Sequence, residues 1–156
     1  RRTPQNIVIG GAAGAMPPLV AWAATRGSLS WTAIYLFAIV FYWTPPHFWA
    51  LSLLMKDEYA SVGIPMLPVA CGERETRRQI LAYAVLLTAV SVLPFVTGAA
   101  GALYLVSALV LGLAFIGGAA RLALRAERRV ALQLYLFSLL YLALLFAAMV
   151  VGAKLH

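Results

Sequence analysis

The stretch KDEYASVGIPMLPVACGERETRR, from Lys56 to Arg78, separates two long apolar blocks of this 156-residue chain. It holds four of the five acidic residues and four of the twelve Lys and Arg residues, although only 11% of the chain is charged. A charged segment between apolar blocks is typical of a loop between two membrane-spanning helices. The same pattern also suits a site that binds a charged substrate at the membrane surface.

The composition favours a membrane environment for the whole chain. The chain is 63% hydrophobic and 11% charged, whereas a soluble domain usually carries about 25% charged residues. Because the bilayer interior offers no hydrogen-bond partners to the backbone, each membrane span should be a helix. We therefore predict an all-α fold, a polytopic membrane helical bundle built as a single domain in the lipid bilayer.

Five apolar blocks are long enough to cross a bilayer, which takes about 20 residues in each helix. The predicted spans lie near 6–24, 30–54, 79–97, 102–120 and 130–152, with a loop at 55–78. We expect helix kinks at Pro17-Pro18 and at Pro45-Pro46, since proline lacks a backbone N–H. The stretch Arg121–Arg129 is interpreted as a basic interfacial helix.

The Lys and Arg residues are divided unequally between the two sides of the predicted bundle. Ten of the twelve fall on the side of the N-terminus and the 55–78 loop, and only Arg26 and Lys154 fall on the other. Because cytoplasmic loops are enriched in Lys and Arg, we predict that the N-terminus and this loop are cytoplasmic, the C-terminus is outside, and the location is a cell inner membrane. The net charge of +7 then reflects topology, and we expect no nucleic-acid partner.

Asp57 and Glu58 are candidate metal ligands in the charged stretch. Proteins hold Mg²⁺ through one or two carboxylates together with substrate phosphates, and Lys and Arg bind the remaining phosphate charge. Such a site would bind a diphosphate whose hydrocarbon tail lies among the helices, and would stabilise the diphosphate as it leaves. The alternative is an ordinary solvated pair of acidic residues.

His47 is a second candidate, because it follows Pro45-Pro46 near the predicted cytoplasmic end of the second span. An ionisable residue inside a span is a functional-site hypothesis, and imidazole is a common ligand of metals and of heme iron. His47 and Glu58 share one helix face if the helix extends that far. The alternative is a histidine that hydrogen-bonds across the bundle.

Three stretches carry a resemblance to a known family: RRTPQNIVIGGAAGAMPPLVAWAA from Arg1, TPPHFWALSL from Thr44 and DEYASVGIPMLPV from Asp57. They closely resemble the heme O synthases, the protoheme IX farnesyltransferase branch of the UbiA-type intramembrane prenyltransferases. The match covers Arg1 to about Gln79, and the later spans resemble the family only in hydropathy and length. The resemblance implies a nine-helix bundle of which this chain supplies the last five. A fragment of this kind should be inactive alone, since the family's first acidic motif would precede Arg1.

The resemblance also implies an activity, the transfer of a farnesyl group from farnesyl diphosphate to a vinyl group of heme b, which gives heme O and diphosphate. Asp57-Glu58-Tyr59 matches the family's second acidic motif, where many members have Asp-Asp-Tyr. These three residues are the predicted catalytic set, and Asp57 and Glu58 would hold Mg²⁺. The residues expected to bind substrate are Lys56, Arg74, Arg77, Arg78 and His47. Other heme-biosynthesis or oxidase-assembly proteins are expected as further partners.

Two other functions suit the same sequence. A transporter or channel fragment would also combine broken, proline-containing helices with a buried histidine, but would more often place ionisable groups near the membrane midplane. Here only His47 lies within a predicted span. A non-catalytic subunit of an oxidase complex would depend on neither diphosphate nor Mg²⁺.

Overall fold

The structure, a computed structural model, describes residues 5–154, and within this range it contains eight α-helices and no β-strand. In chain order the helices are α1 (Asn6–Gly14), α2 (Met16–Arg26), α3 (Trp31–Leu54), α4 (Lys56–Ser61), α5 (Leu67–Ala70), α6 (Glu73–Val96), α7 (Ala102–Arg125) and α8 (Arg128–Lys154). The predicted all-α fold is therefore confirmed for these residues. Arg1, Arg2 and the side chain of Lys154, which entered the count of basic residues above, lie outside the description.

The four long helices α3, α6, α7 and α8 form a closed bundle, because each packs against the next and α8 returns to α3. The interior is filled by fully buried apolar side chains, among them Ile39, Ile80, Leu87, Phe115 and Leu145. α1 and α2 pack against the outer side of α3. α3 is therefore the central helix, and of the other helices α7 alone does not contact it within the described range.

The outer surface of the bundle is suited to lipid. Within residues 5–154, four helical segments are long and apolar enough to cross a membrane: Asn6–Arg26, Glu73–Val96, Ala102–Arg125 and Arg128–Ala153. Large apolar side chains such as Val110 and Leu113 on α7 are more than 60% exposed, which would be unfavourable in water. The protein is therefore a membrane protein.

The predicted second span corresponds to α3, which is not one of those four segments. α3 is 24 residues long, and Thr44, His47 and Ser52 interrupt its apolar sequence. All three side chains are buried inside the protein, so they need not face lipid. A central helix can therefore contain polar residues that lower its mean hydropathy, because these residues contact protein and not lipid.

The two proline pairs have different effects on the helices. α1 ends at Gly14 and α2 begins at Met16, so Pro17 and Pro18 lie in the first turn of α2, where the missing N–H of proline removes no helical hydrogen bond. By contrast, α3 continues through Pro45-Pro46, and both rings are fully buried against neighbouring helices. The chain is therefore interrupted before the first pair and not at the second.

The charged stretch is more ordered than the predicted loop at 55–78. It contains the short helices α4 and α5, and α6 already begins at Glu73. Leu67 and Pro68 are buried, which anchors α5 against the bundle. Gly72 then turns the chain into α6 with a φ of 86°, a conformation that favours glycine.

The stretch Arg121–Arg129 is likewise not a separate interfacial helix. α7 extends to Arg125, Ala126 adopts a left-handed conformation (φ 51°, ψ 29°), and α8 begins at Arg128. The apolar periodicity of both helices continues into the charged segment, with Leu122 and Val130 buried in the core. The basic residues here therefore belong to the ends of two long helices.

Candidate functional site

One end of the bundle carries most of the charge of the protein. We call it the basic end: it comprises the end of α3, the segment from α4 to the start of α6, and the α7–α8 turn. Its Lys and Arg residues are Lys56, Arg74, Arg77, Arg78, Arg121, Arg125, Arg128 and Arg129. Among the described side chains, the opposite end has Arg26 as its basic residue. The unequal division of Lys and Arg that the sequence predicts is therefore present in the structure as one strongly basic end and one end with little charge.

A cavity of about 260 Å³ opens at the basic end, between the ends of the long helices. We call it the charged cavity, because six ionisable side chains line it: Lys56, Asp57, Glu73, Arg77, Glu127 and Arg128. Leu53, Leu54, Leu122 and Ala131 are also part of the lining. Five helices, α3, α4, α6, α7 and α8, therefore contribute to one small volume that combines charged and apolar walls.

Glu73 links two of the positively charged side chains of the cavity. Lys56 Nζ donates to Glu73 Oε1 at 3.1 Å, and Arg77 Nη1 donates to Glu73 Oε2 at 3.3 Å. Glu73 lies in the polar first turn of α6, outside the apolar part of that helix. The hydrogen bond from Lys56 holds the pKa of this carboxyl below its ordinary value, and the charge of Arg77 acts in the same direction. The Lys56 pair joins α4 to α6, whereas the Arg77 pair lies within α6.

The predicted phosphate-binding residues thus differ in their availability. Lys56 and Arg77 share Glu73, and Arg78 pairs with Glu75 at 3.7 Å. Arg74 is exposed and has no ion pair among the residues that the structure describes. Arg74 and Arg78 are not in the lining of the charged cavity.

Asp57 and Glu58 lie side by side in the exposed first turn of α4. Neither carboxylate makes an ion pair within residues 5–154, so both are available to a cation. Asp57 lines the charged cavity, whereas Glu58 and Tyr59 do not. Only one of the two carboxylates therefore lies at the cavity.

The described part of the chain contains no group of three or more His, Cys, Asp or Glu residues that could hold a metal ion. This arrangement fits Mg²⁺ nonetheless, because Mg²⁺ is commonly bound through one or two carboxylates while substrate phosphates and water complete its coordination. Asp57 and Glu58 are the residues that match this donor set.

His47 lies elsewhere, inside the bundle and about 10 Å along α3 from its end at Leu54. Its Nδ1 is 2.6 Å from Ser138 Oγ on α8. Its ring is stacked between those of Trp43 and Tyr135, at centroid distances of 4.3 and 4.8 Å. His47 therefore hydrogen-bonds across the bundle, and it does not line the charged cavity.

A shared helix face of His47 and Glu58 required α3 to extend to Glu58, and this condition is not met. α3 ends at Leu54, and Met55 leaves the helical conformation with φ −114° and ψ 29° before α4 begins. Because the two residues lie on different helices, their spacing in the sequence does not determine their relative orientation.

Glu127 and Arg128 are cavity residues that the sequence analysis did not single out. Glu127 is the one acidic residue outside the charged stretch. This isolated carboxylate among arginines is the sequence feature that could have identified the position as a candidate site. Their presence in the same cavity as Lys56 and Asp57 depends on the packing of α7 against α6 and of α8 against α3, which no local sequence pattern indicates.

Comparison with known proteins relates the chain to a family of enzymes. Residues 1–146 match the UbiA prenyltransferase family. The chain is 56% identical to the protoheme IX farnesyltransferase of Thermus thermophilus over 151 residues, which are 97% of this chain and 25% of that protein. It is 56% identical to the enzyme of that name from Marinobacter nauticus, over 97% of this chain and 50% of that protein. The figures for the Nitrosomonas eutropha enzyme are 51%, 96% and 50%.

The chain therefore spans about a quarter to a half of the length of these relatives. No solved structure matches it. Since the family match extends over 1–146 of the 156 residues, the chain belongs to the UbiA prenyltransferase family.

Proposed function

We propose that this chain is part of an enzyme that transfers a farnesyl group from farnesyl diphosphate to a vinyl group of heme b, giving heme O and diphosphate. Relatives that are 51–56% identical over nearly the whole chain are named protoheme IX farnesyltransferases. One structural observation supports the proposed location of the reaction. Asp57 lines the same cavity as Lys56 and Arg77, at the basic end of a membrane bundle.

The charged cavity is the proposed diphosphate site. Lys56 and Arg77 would bind phosphate oxygens there, because ammonium and guanidinium groups form strong charge-assisted hydrogen bonds with them. Both now share the single carboxylate of Glu73, and a diphosphate carries more negative charge with which to compete for them.

Asp57 and Glu58 would hold Mg²⁺, which when bound neutralises charge on the departing diphosphate. Arg74 and Arg78, on the outer side, would attract the substrate electrostatically.

The proposed reaction breaks the C1–O bond of farnesyl diphosphate and the π bond of the heme vinyl group, and it forms one C–C and one C–O bond. The C1–O bond of farnesyl diphosphate breaks, and the diphosphate leaves with the electron pair. The allylic carbon then bonds to the terminal carbon of the heme vinyl group. Water adds to the other vinyl carbon and releases a proton, so the products are heme O and protonated diphosphate. Within this scheme Tyr59 would orient the acidic segment through its hydroxyl.

We infer that the heme lies near His47. The hydroxyl of Ser138 donates its one hydrogen to the Tyr135 carbonyl oxygen at 2.6 Å, so the N–H at His47 Nδ1 is the donor to Ser138 Oγ. The lone pair of this neutral imidazole is then on Nε2, which makes no hydrogen bond within the described residues. A neutral imidazole with a free nitrogen is able to bind heme iron.

The proposed site lies on the cytoplasmic side of a prokaryotic inner membrane. The support is the concentration of Lys and Arg at the basic end, since such residues are enriched on the cytoplasmic side of membrane proteins. The other proposed partners are heme-biosynthesis or oxidase-assembly proteins, which would supply heme b or receive heme O.

The proposed function is tested with the full-length protein, by which we mean a protein of the relatives' length that contains this sequence. Membranes carrying it are supplied with farnesyl diphosphate, heme b and Mg²⁺. We expect heme O and diphosphate in equal amounts, with product formation lost in EDTA and restored by Mg²⁺. A transporter or an oxidase subunit would form no heme O, and that result would overturn the proposal.

The 156 residues by themselves provide a second measurement. They are expected to form no heme O, because the family's first acidic motif is not in this sequence. Turnover by this chain alone would show that one acidic segment suffices.

A further inference from the structure

We propose that Arg128, at the α7–α8 turn, is a further phosphate-binding residue of the diphosphate site. The inference rests on the proposed function, because it concerns the same substrate. Arg128 lines the charged cavity together with Lys56 and Asp57, although it follows them in the chain by two membrane spans. The cavity therefore has cationic groups from three separate helices, α4, α6 and α8.

Arg128 differs from the other cations of the cavity in having no ion-pair partner among residues 5–154. Lys56 and Arg77 are both paired with Glu73, whereas no ion pair of Arg128 occurs in the described part of the chain. Its guanidinium is therefore free to donate to a ligand without first releasing a carboxylate. The planar donor fork of arginine also matches two phosphate oxygens at once.

The backbone holds Arg128 in place. Ala126 is the one non-glycine residue with positive φ within residues 5–154, a conformation that L-residues rarely adopt. Its N–H donates to the Leu122 carbonyl oxygen, and the Glu127 carbonyl oxygen accepts from Val130 and Ala131. The turn is thus fixed to both α7 and α8, and Arg128 is the first residue of a 27-residue helix.

The charges of the lining indicate the form in which the ligand binds. Three cations, Lys56, Arg77 and Arg128, balance the three acidic residues Asp57, Glu73 and Glu127. A free diphosphate would leave this neutral cavity strongly negative. The magnesium complex of the diphosphate adds much less charge, so we expect Arg128 to contribute to binding when Mg²⁺ is present.

Arg129 provides a matched control. It is adjacent in sequence, carries the same charge and is exposed, but it does not line the cavity. An effect of general positive charge at the membrane surface would be the same for both arginines, whereas a direct contact with phosphate belongs to Arg128.

The experiment uses the purified full-length protein and its Arg128→Gln, Arg128→Lys and Arg129→Gln variants. Binding of inorganic pyrophosphate in excess Mg²⁺ is measured by calorimetry, and KM is measured for farnesyl diphosphate and for heme b. Arg128→Gln should weaken pyrophosphate binding and raise the farnesyl diphosphate KM by about tenfold, the order expected for loss of one charge-assisted hydrogen bond. Heme KM should not change, and Arg128→Lys should recover part of the affinity.

The outcomes separate the inference from the proposed function. Equal pyrophosphate affinities for Arg128→Gln and Arg129→Gln, in a protein whose unmodified form makes heme O, would overturn the role of Arg128 alone. Failure of the unmodified protein to bind pyrophosphate or to make heme O would overturn both. If Arg128→Gln does not fold, Arg128→Lys decides: an affinity equal to that of the unmodified protein, with wild-type heme KM, would contradict recognition by the guanidinium fork.

Discussion

His47 Nδ1 lies 2.6 Å from Ser138 Oγ, and this hydrogen bond joins the central helix α3 to α8 inside the apolar bundle. The Trp43 indole N–H also donates to the Ser138 carbonyl oxygen, at 2.7 Å. Three ring contacts and one hydrogen bond hold the imidazole in a single orientation. Substitution of His47 can therefore distinguish a role in packing from a role in heme binding.

We expect His47→Ala in the full-length protein to weaken heme b binding by about tenfold or more, the order seen when metal ligation is disturbed. Farnesyl diphosphate affinity should change much less, because His47 does not line the charged cavity. Heme titration by absorbance and calorimetry with farnesyl diphosphate measure the two affinities. The control is Ile34→Ala, which alters an exposed side chain at the other end of α3. Unchanged affinities with retained activity would make His47 a packing residue.

Asp57→Asn changes the charge of the cavity with little change in shape. If Asp57 holds the metal at the leaving diphosphate, the rate of heme O formation should fall roughly 10²-fold, since each 1.36 kcal/mol is about a factor of ten. Glu58→Gln should have a smaller effect, because Glu58 is not in the cavity lining. The measurement is heme O formed per unit of inserted protein across a Mg²⁺ titration. A near-normal rate for Asp57→Asn would identify an ordinary solvated acidic residue.

Glu73→Gln removes the Lys56 ion pair, which joins α4 to α6, and the Arg77 ion pair within α6. Because the carboxylate is exposed to solvent, we expect a loss of less than about 1 kcal/mol. The pKa of Glu73 is lowered from an ordinary value of 4.5, so its stabilising contribution is present above that pH and disappears as the pH falls through the lowered value. Thermal unfolding of both proteins should thus converge in acid. A difference that stays constant down to acid pH would contradict this assignment.

Gly112 lets α7 approach α6 closely. A Cβ at this position would meet the buried Thr88 side chain, whose Cβ would be 3.0 Å away. Gly112→Ala should therefore destabilise the bundle by about 1–3 kcal/mol through overpacking, seen as a lower unfolding midpoint in detergent. Gly117→Ala on the same helix, where nothing lies within 4 Å, is the control and should be neutral or stabilising. Equal midpoints for the two variants would show that the helices adjust freely.

The orientation is tested with the native cysteine. Cys71 is exposed at the basic end, and Ala99 is exposed in the turn at the opposite end. In the full-length protein, with any other cysteines replaced, Cys71 should react with an impermeant maleimide only from the cytoplasmic side. In a Cys71→Ser background, Ala99→Cys should react only from outside. Labelling of both positions from one side would refute the proposed topology.

The sequence by itself determined the class of fold, the family and the location of most of the charge. Long apolar blocks require helices, because a bilayer interior offers the backbone no other hydrogen-bond partners. The unequal division of Lys and Arg required two different ends, and Asp57-Glu58-Tyr59 was recognisable as a motif of neighbouring residues. All of these properties are read from composition or from residues close together in the chain.

Only the tertiary structure decided which charges meet. Glu73 joins Lys56 to Arg77, and Arg128 arrives at the same cavity from the last turn of the bundle. The end of α3 before Met55 separates His47 from the acidic segment. The His47 side chain instead contacts Ser138, which is 91 residues away in the sequence. Such pairings depend on how helix ends are aligned when complete helices pack side by side, a property set by the whole core and by close contacts such as that of Gly112 with Thr88.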